Sequence, residues 1–351
     1  MSSPQTAASV VLETLVDRIG YIACVLDEPQ DKPALVSTLD AARSTVDRAV
    51  DELETVDLIK QTDDGYIITS MGRLVTTDFF GIIDILDDVA PDHIQSPIAS
   101  MTIIDTATRR SEFLECLLEQ PKDKRMVVDD IGMSRATVDR GLRELENVGL
   151  IEYTDGRFTL STIGKATEQG LFNIIKTIRL GQRLHPFLRW VSYDNFDIDI
   201  HLLADAELLL PEPGDPWAMM NRHVQVLKEA DNGRVVQPVA SLYAMEAAYE
   251  RIVNAGATGS TVVESSVADT FQTNPNYTEL VEGMIATGRF DLYVYGGTIP
   301  YFIGVFDEIV QIGADEEGEP RAILETDSAK VLQWAENKYE EYRQQSKLVK
   351  L

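Results

Sequence analysis

The stretch RATVDRGLRELENVGLI, residues 135–151, has a close copy in RSTVDRAVDELETVDLI, residues 43–59. A shift of 92 residues aligns the chain with itself without a gap from about residue 11 to residue 86. Between residues 43 and 73, 14 of 31 positions are identical to their counterparts, so we infer that a whole domain was duplicated. Two copies of about 80 residues each do not make a solenoid.

Each copy predicts the same order of elements. Residues 10–26, matched by residues 103–118, predict a first helix, and a short second helix follows. The quoted stretch predicts a longer helix, because its apolar residues fall at i, i+4, i+7 and i+10. The segment LIEYTDGRFTLS, residues 150–161, predicts two strands around Asp155-Gly156, and a closing helix begins near Gly164. This is the layout of a winged helix-turn-helix.

The composition changes near residue 189, beyond which strand-like and helix-like segments alternate. This alternation predicts an α/β layered domain. We therefore expect winged helix-turn-helix repeats at residues 8–92 and 100–170, a connecting helix at 171–190 and an α/β effector or dimerisation domain at 191–351. The connecting helix is the most basic stretch of the chain. We expect it to lie either at a dimer interface or near DNA.

The chain is strongly acidic, with a formal net charge of −27, although its hydrophobic content is ordinary at 44%. Few lysines accompany this charge, a pattern typical of proteins adapted to molar salt, where repulsion between charges is screened. An ordinary acidic protein is the alternative. The sequence shows neither an apolar run of about 18 residues nor a secretory leader, so we expect a cytoplasmic protein without a membrane span. Cys24 and Cys116 lie in apolar stretches and predict buried thiols.

The third region and the second repeat resemble a known family. SRATVDRGLRELENVGLIEYTDGRFTLSTIGK resembles the helix-turn-helix and wing of archaeal winged-helix transcription regulators in its serine–arginine start and in its Gly-Leu-Ile entry to the hairpin. HVQVLKEA, RVVQPVAS, FDLYVYGGTIPYFIGVFDEIVQIGA and WAENKYEEYR resemble the C-terminal domain of archaeal, here haloarchaeal, regulators of the methanogenesis-regulatory-protein type. That resemblance implies a non-catalytic phospholipase D-like fold, related in shape to the effector domain of TrmB-type sugar sensors.

A winged helix reads DNA with the N-terminal part of its recognition helix and with its wing. Arginine can pair with guanine or hold phosphate, and small residues permit close approach to the groove. In the second repeat, the residues expected to contact double-stranded DNA are Ser134, Arg135, Ala136, Thr137, Arg140, Arg143 and Arg157.

The first repeat offers a weaker set of DNA contacts, namely Arg43, Ser44, Thr45 and Arg48. Asp51 stands where the second repeat has Arg143, and the hairpin tip reads Asp63-Asp64-Gly65. Residues 10–75 carry 6 basic and 13 acidic residues, net −7, whereas residues 102–167 carry 10 and 12, net −2. We therefore expect the second repeat to be the main DNA reader.

Catalytic motifs are missing from the sequence. None of the four histidines stands in the H-x-K pair of phospholipase D-type hydrolysis, and no nucleophile elbow or P-loop occurs. We expect no enzyme activity, no metal and no cofactor. A small-molecule effector is expected near strand ends of the α/β domain. The candidate contacts are Tyr293, Tyr295, Thr298 and Tyr301, and the alternative for the tyrosines is a role in the core.

The leading hypothesis is a homodimeric DNA-binding transcription regulator whose C-terminal domain senses a ligand, dimerises, or does both. The alternative is a tandem winged-helix module that binds protein and not DNA, which the acidic first repeat favours. A degenerate phosphodiesterase is a third, weaker hypothesis. The operator, the effector and the sign of regulation do not follow from the sequence.

Overall fold

The computed structural model describes residues 7–89, 97–192, 195–316 and 318–349. His93 and the outer end of the first expected domain therefore lie outside the described residues. The chain divides into two compact units, residues 1–182 and residues 183–351. In the described ranges, none of the helices has both the length and the apolar character needed to cross a bilayer.

The first unit contains both sequence copies. The elements of the first copy are α1 (Ala7–Val25), α2 (Lys32–Leu39), α3 (Arg43–Thr55), β1 (Ile59–Thr62), β2 (Gly65–Ile68) and α4 (Ser70–Val89). Those of the second copy are α5 (Pro97–Arg109), α6 (Ser111–Leu118), α7 (Lys124–Ile131), α8 (Arg135–Asn147), β3 (Ile151–Thr154), β4 (Arg157–Leu160) and α9 (Thr162–Leu188). The helices and the antiparallel hairpins follow the predicted order in both copies.

Two helices differ from the sequence expectation. The first helix of the second copy is broken at Arg110, where the backbone leaves the helical region (φ −124°, ψ 24°). Neither glycine nor proline stands at this break, so the sequence did not reveal it. The expected closing helix and connecting helix form one continuous helix, α9, which contains Pro186.

A shared glycine explains part of the identity between the copies. A Cβ atom on Gly72 would lie 2.0 Å from the carbonyl oxygen of Leu58, and one on Gly164 would lie 1.9 Å from that of Leu150. Because no side chain fits at either position, both copies retain glycine where the closing helix passes the start of the hairpin.

Two ion pairs also recur at equivalent positions. Arg18 pairs with Glu52 at 2.7 Å, and the equivalent pair of the second copy joins Arg110 to Glu144 at 2.7 Å. Lys32 pairs with Asp47 at 2.9 Å, and its counterpart Lys124 pairs with Asp139 at 2.6 Å. These repeated contacts tie earlier residues of each copy to α3 in the first copy and to α8 in the second, so the shared charged residues serve the fold.

The two copies face each other across an approximate twofold axis. α1 contacts α5, and Arg109 reaches Asp17, its own sequence equivalent 92 residues earlier, at 3.3 Å. A residue that meets its own equivalent lies close to a twofold axis, as in an isologous dimer interface. One apolar core runs through both copies and includes Leu15, Phe79 and Phe113. The duplicated domain is thus paired with itself inside one chain.

The closing helices of the two copies cross antiparallel. Met71 of α4 lies against Gly181 of α9, whereas Ile82, farther along α4, lies against the earlier residue Gly170. A Cβ atom on Gly170 would come within 2.5 Å of Ile82 Cγ1, so glycine permits the close approach. Thr177 donates a hydrogen bond to the carboxylate of Asp78 beside this crossing.

The second unit is mixed α+β. Its elements after the end of α9 are a 3₁₀ turn (Ile200–Leu203), β5 (Glu207–Leu209), α10 (Ala218–Glu229), β6 (Asn232–Gln237), α11 (Leu242–Tyr249) with a π-helical extension (Glu250–Asn254), β7 (Thr258–Glu264), α12 (Ser265–Thr273), α13 (Pro275–Ala286), β8 (Phe290–Tyr295), β9 (Phe302–Phe306), β10 (Ile309–Glu316), β11 (Glu319–Thr326), α14 (Ala329–Gln344) and β12 (Ser346–Leu348).

These strands form one eight-stranded sheet with the order β12-β8-β7-β6-β9-β10-β11-β5. β6, β7 and β8 are parallel, and the remaining pairs are antiparallel. α14 packs across the sheet, where Tyr339 donates a hydrogen bond to Ser260 at 2.6 Å. The sequence did not predict α12 or β12.

Candidate nucleic-acid interface

The N-terminus of α8 is built as the sequence predicted. Ser134 is the N-cap residue, and its hydroxyl accepts a hydrogen bond from the backbone N–H of Thr137 at 3.2 Å. The two hydroxyl oxygens lie 2.9 Å apart. A side-chain cap of this kind stabilises a helix by about 1 kcal/mol. Thr137 is half-buried beside the cap, so the cap and the first turn form one rigid start of the helix.

A stripe of exposed residues runs along α8, opposite its buried side. Ala136, Arg140 and Arg143 are exposed at i, i+4 and i+7, and Val138 and Leu142 are buried. The stripe extends about 10 Å along the helix axis at about 1.5 Å per residue. Its spacing presents two guanidinium groups on one side of the helix.

The arginines of α8 differ in how they are held. Within the described part of the chain, neither Arg135 nor Arg140 forms an ion pair, and both are exposed. The Nε–H of Arg143 donates to the backbone carbonyl of Asp139 at 3.0 Å. Arg135 and Arg140 thus keep their full hydrogen-bonding capacity for an external acceptor.

One carboxylate lies among these arginines. Lys124 pairs with Asp139, and this ammonium group, with smaller contributions from Arg143 and Arg135, lowers the pKa of Asp139. The carboxylate is therefore ionised, and its negative charge is offset by a lysine from α7. Lys124 itself is consequently a structural cation of this surface.

The β3–β4 hairpin carries the last predicted contact. Asp155 and Gly156 both have positive φ values, 54° and 81°, as a two-residue type I′ turn requires. Arg157 follows directly, opposite Thr154, and its side chain is exposed. No ion pair involves Arg157 among the residues that the structure describes. The hairpin tip thus ends in an exposed cation.

The equivalent helix of the first copy presents a different surface. Arg43, Ser44 and Thr45 are exposed at the start of α3, where Ala42 makes no side-chain capping bond. Arg48, the equivalent of Arg140, pairs with Glu52 at 2.8 Å.

Because Glu52 also pairs with Arg18, the carboxylate is held between two guanidinium groups, which lower its pKa. Arg48 is thereby tied to an anion on its own helix, and Asp51 follows where Arg143 stands in α8. The sequence analysis missed this pair, although its i, i+4 spacing was visible.

The hairpin of the first copy lacks the arginine for a steric reason. Gly65 occupies the position of Arg157 with a φ of 126°. A Cβ atom there would lie 2.8 Å from the carbonyl carbon and oxygen of Gln30. Gln30 and Tyr66 form a β-bridge at this point. The acidic tip Asp63-Asp64 is therefore followed by a residue that cannot become a cationic contact without a shift of the backbone.

The basic residues of α9 are not one free patch. Arg183 donates hydrogen bonds to the carbonyl oxygens of Leu203, Ala204 and Ala206 at 2.7–3.0 Å, so it holds the 3₁₀ segment. The guanidinium of Arg189 lies 4.7 Å from the centre of the Trp190 ring.

The four residues suggested for an effector are dispersed. Tyr301 is 1% exposed and packs edge-on against Phe196, so it is a core residue, and burial raises its pKa. Tyr293 and Tyr295 lie on β8, next to the edge strand β12, while Thr298 is exposed in the loop that follows. The structure does not bring the four into one cavity.

A buried polar network lies elsewhere in the second unit. The Nδ1 atom of His223 lies 2.7 Å from Gln311 Oε1, and Gln311 Nε2 donates to Glu325 at 2.7 Å. Arg222 forms a two-pronged ion pair with Glu325. Burial lowers the pKa of His223, which is therefore neutral near pH 7. Sequence reasoning missed this network, since it joins His223 to a residue 88 positions later and Arg222 to one 103 positions later.

The architecture defines a class: a duplicated helix-and-hairpin domain joined to an α/β sheet domain. Residues 8–88 and 100–183 each match the family described as the HVO_A0261 N-terminal domain. Residues 216–345 match the family described as methanogenesis regulatory protein FilR1, middle domain. These matches confirm the resemblance to archaeal regulators of the methanogenesis-regulatory-protein type. No curated protein matches the chain.

Three solved structures share distant similarity. TrmBL2, an archaeal chromatin protein, is 10% identical, with 76% of this chain and 99% of that chain covered and a TM-score of 0.31. The phospholipase D family member Nuc from Salmonella typhimurium is 11% identical, with 42% and 98% covered and a TM-score of 0.34. NucT from Helicobacter pylori is 12% identical, with 40% and 96% covered and a TM-score of 0.34. None of these likenesses is close enough to carry an argument.

Proposed function

We propose that this protein is a DNA-binding transcriptional regulator whose two N-terminal copies are tandem winged helix-turn-helix domains. In this proposal α8 is the recognition helix that enters the major groove, and the β3–β4 hairpin is the wing. The order of helices and hairpin in each copy supports it, as does the regulator family matched by the C-terminal domain. The proposed domains are residues 8–92, 100–170, 171–190 and 191–351.

The observation that carries the proposal is the pair of uncommitted arginines on α8. Arg135 and Arg140 are exposed, and within the described residues neither has a carboxylate partner. Guanidinium groups at the N-terminal part of a recognition helix suit guanine edges and phosphates. Arg48 is committed to Glu52, so the second copy is the main DNA reader and the first copy gives secondary contacts.

The acidity of the chain fits DNA binding at high salt. At a net charge of −27 the protein as a whole repels phosphate in dilute buffer, but molar salt screens this repulsion. Counterion release then contributes little to affinity, so direct contacts from α8 supply more of it. We place the protein in a halophilic cytoplasm, acting as a homodimer without enzymatic activity, with the C-terminal domain as sensor or dimerisation module.

The test is fluorescence polarisation with duplex fragments of the source genome across a potassium chloride series. The double variant Arg135→Ala/Arg140→Ala is compared with the matched variant Arg43→Ala/Arg48→Ala, which changes the equivalent residues of the first copy. We expect the former to lose at least tenfold in affinity and the latter to lose less than the former, because Arg48 must first leave Glu52. Unchanged binding of the former at every salt concentration excludes reading by the second copy.

A second candidate function is a protein-interaction module. The specific observation in its favour is the first copy, in which Arg48 is paired with Glu52 and the hairpin tip is acidic. If no duplex binds in any salt concentration, while the folded protein retains a partner that the double variant Arg43→Ala/Arg48→Ala loses, this function replaces the first.

A further inference from the structure

A cavity of about 220 Å³ lies in the second unit, on the side of the sheet covered by α10 and α11. It is bounded by the end of β6, by β9 and by the β10–β11 hairpin. Most of its wall is apolar, and the main contributors are Met220, Ala244, Phe302, Ala314, Ala322 and Ile323. None of the four tyrosine and threonine residues suggested by the sequence lines it.

Small residues of β10 form part of the cavity wall. Gly313 is paired with Phe302, and a β-bulge follows at Ala314/Asp315. A Cβ atom on Gly313 would lie 3.2 Å from Cβ and Cδ1 of Phe302, so the Phe302 side chain lies over this position and leaves little room for a larger residue. Both residues line the cavity, although a well-packed interior normally leaves few voids of this size.

One polar group of the wall has an unmet hydrogen bond. Gln237, the last residue of β6, lines the cavity, and its Nε2 atom is buried without a partner among the described residues. Buried amide donors are normally satisfied, because burial without a partner is costly. An acceptor atom of a bound molecule would supply the missing partner.

The wall carries no cation that would attract an anionic ligand. Lys and Arg are absent from the described residues that line it. The carboxylate of Asp315 already accepts a hydrogen bond from the backbone of Gly318 at 3.1 Å and disfavours a second anion nearby. His223 is buried and neutral, with Nδ1 engaged by Gln311. The wall therefore disfavours an anion, and its mostly apolar lining favours an uncharged molecule.

We propose that this cavity binds a small, neutral, largely apolar molecule whose carbonyl-type oxygen accepts a hydrogen bond from Gln237 Nε2. Its volume lies below the roughly 300–1,000 Å³ of sites for drug-sized ligands, so the molecule is of fragment size. The effector role of this molecule rests on the proposed function, whereas its binding does not.

Trp217 provides the readout. Its indole is 67% exposed and lines the cavity immediately before α10. Occupation of the cavity changes the surroundings of this ring, so tryptophan fluorescence reports binding without any DNA present.

The probe is benzamide, titrated into the full-length protein in molar potassium chloride. We expect a saturable fluorescence change with a Kd on the order of 1 mM, as suits a ligand of this size. Toluene has no acceptor and benzoate is charged, and both should bind at least fivefold more weakly. Trp217→Phe should abolish the signal, while ligand-observed NMR still detects benzamide binding.

Two kinds of variant distinguish the contribution of the Gln237 hydrogen bond from that of the cavity volume. Gln237→Leu should weaken benzamide binding about tenfold, whereas Gln333→Leu, which removes an exposed amide from α14, should leave binding unchanged. Gly313→Val should abolish binding by filling the cavity, and Ala244→Leu does so from the opposite wall if the first variant does not fold. Equal binding of benzoate, an unaffected Gln237→Leu variant, or no saturation with benzamide overturns the proposal. Each of these results leaves the DNA-binding measurements untouched.

Discussion

Arg140→Ala and Arg48→Ala change equivalent residues in the two copies, but we expect them to differ strongly in their effect on DNA binding. Arg140 is exposed and, among the described residues, has no carboxylate partner, so its truncation removes the whole of the DNA contact that we propose for it. A good arginine–base contact contributes about 1–3 kcal/mol. This corresponds to roughly 5- to 150-fold in affinity at about 1.4 kcal/mol per tenfold.

Arg48 must leave Glu52, at 2.8 Å, before it can hold a phosphate. An exposed pair of this kind contributes about 0.2–1 kcal/mol, and its separation exposes a carboxylate to the DNA. We therefore expect Arg48→Ala to lower affinity less than Arg140→Ala does, by about 1.4- to 5-fold for the cost of separating the pair.

The assay is fluorescence polarisation of both single variants against one duplex at several salt concentrations. Loss of a phosphate contact lowers the slope of log K against log salt by about 0.9, whereas loss of a base contact leaves the slope and removes preference at one base pair. Equal losses for the two variants refute the argument that the Arg48–Glu52 pair distinguishes the copies.

Three further predictions concern stability. Asp57→Gly should stabilise the first unit by about 1 kcal/mol, because Asp57 has a φ of 58° that glycine adopts without strain. The midpoint of thermal unfolding should rise by about 2–4 °C. Gly170→Ala should destabilise the first unit by about 1–3 kcal/mol, because the added Cβ atom meets Ile82 of α4. Gly81→Ala is the matched helical control, with nothing within 4 Å of its Cβ position, and it should stabilise the unit by up to about 1 kcal/mol in the same denaturant titration. Arg343 lowers the pKa of Glu340 from 4.5 to about 2. The ion pair therefore stabilises the fold fully above pH 4.5, and this contribution is lost as the pH falls toward 2. Unfolding curves at pH 3 and pH 6 should show that Glu340→Gln loses less stability between the two pH values than the unsubstituted protein does.

The first unit was the more predictable part of the fold. Because the domain is repeated, each helix and strand could be predicted from two related sequences. The helix caps and turns depend only on neighbouring residues. Ser134 caps α8 and Asp155-Gly156 makes the hairpin turn because each interaction spans only a few residues. The break at Arg110 was missed because it lies in a segment without glycine or proline.

The second unit contains features that local sequence patterns could not predict. β12 has three residues, and its pairing with β8 depends on a strand about 50 residues earlier. The cavity depends on Gly313, Phe302 and Gln237 coming together from three separate strands. A tyrosine-rich segment attracted attention in the sequence, yet Tyr301 fills the core. Side chains that define a cavity are recognised only after strand order and register are known.

The contact between Asp17 and Arg109 has a consequence for how the two copies evolve. In a homodimer, one gene encodes both halves, so every substitution appears twice and the halves cannot specialise. Here the halves are joined covalently, and their encounter does not depend on protein concentration. Each half therefore accumulates its own substitutions while the other keeps it folded. The pair that such a chain forms is asymmetric, because its two halves differ in sequence. A DNA site that both halves would bind need not be a palindrome.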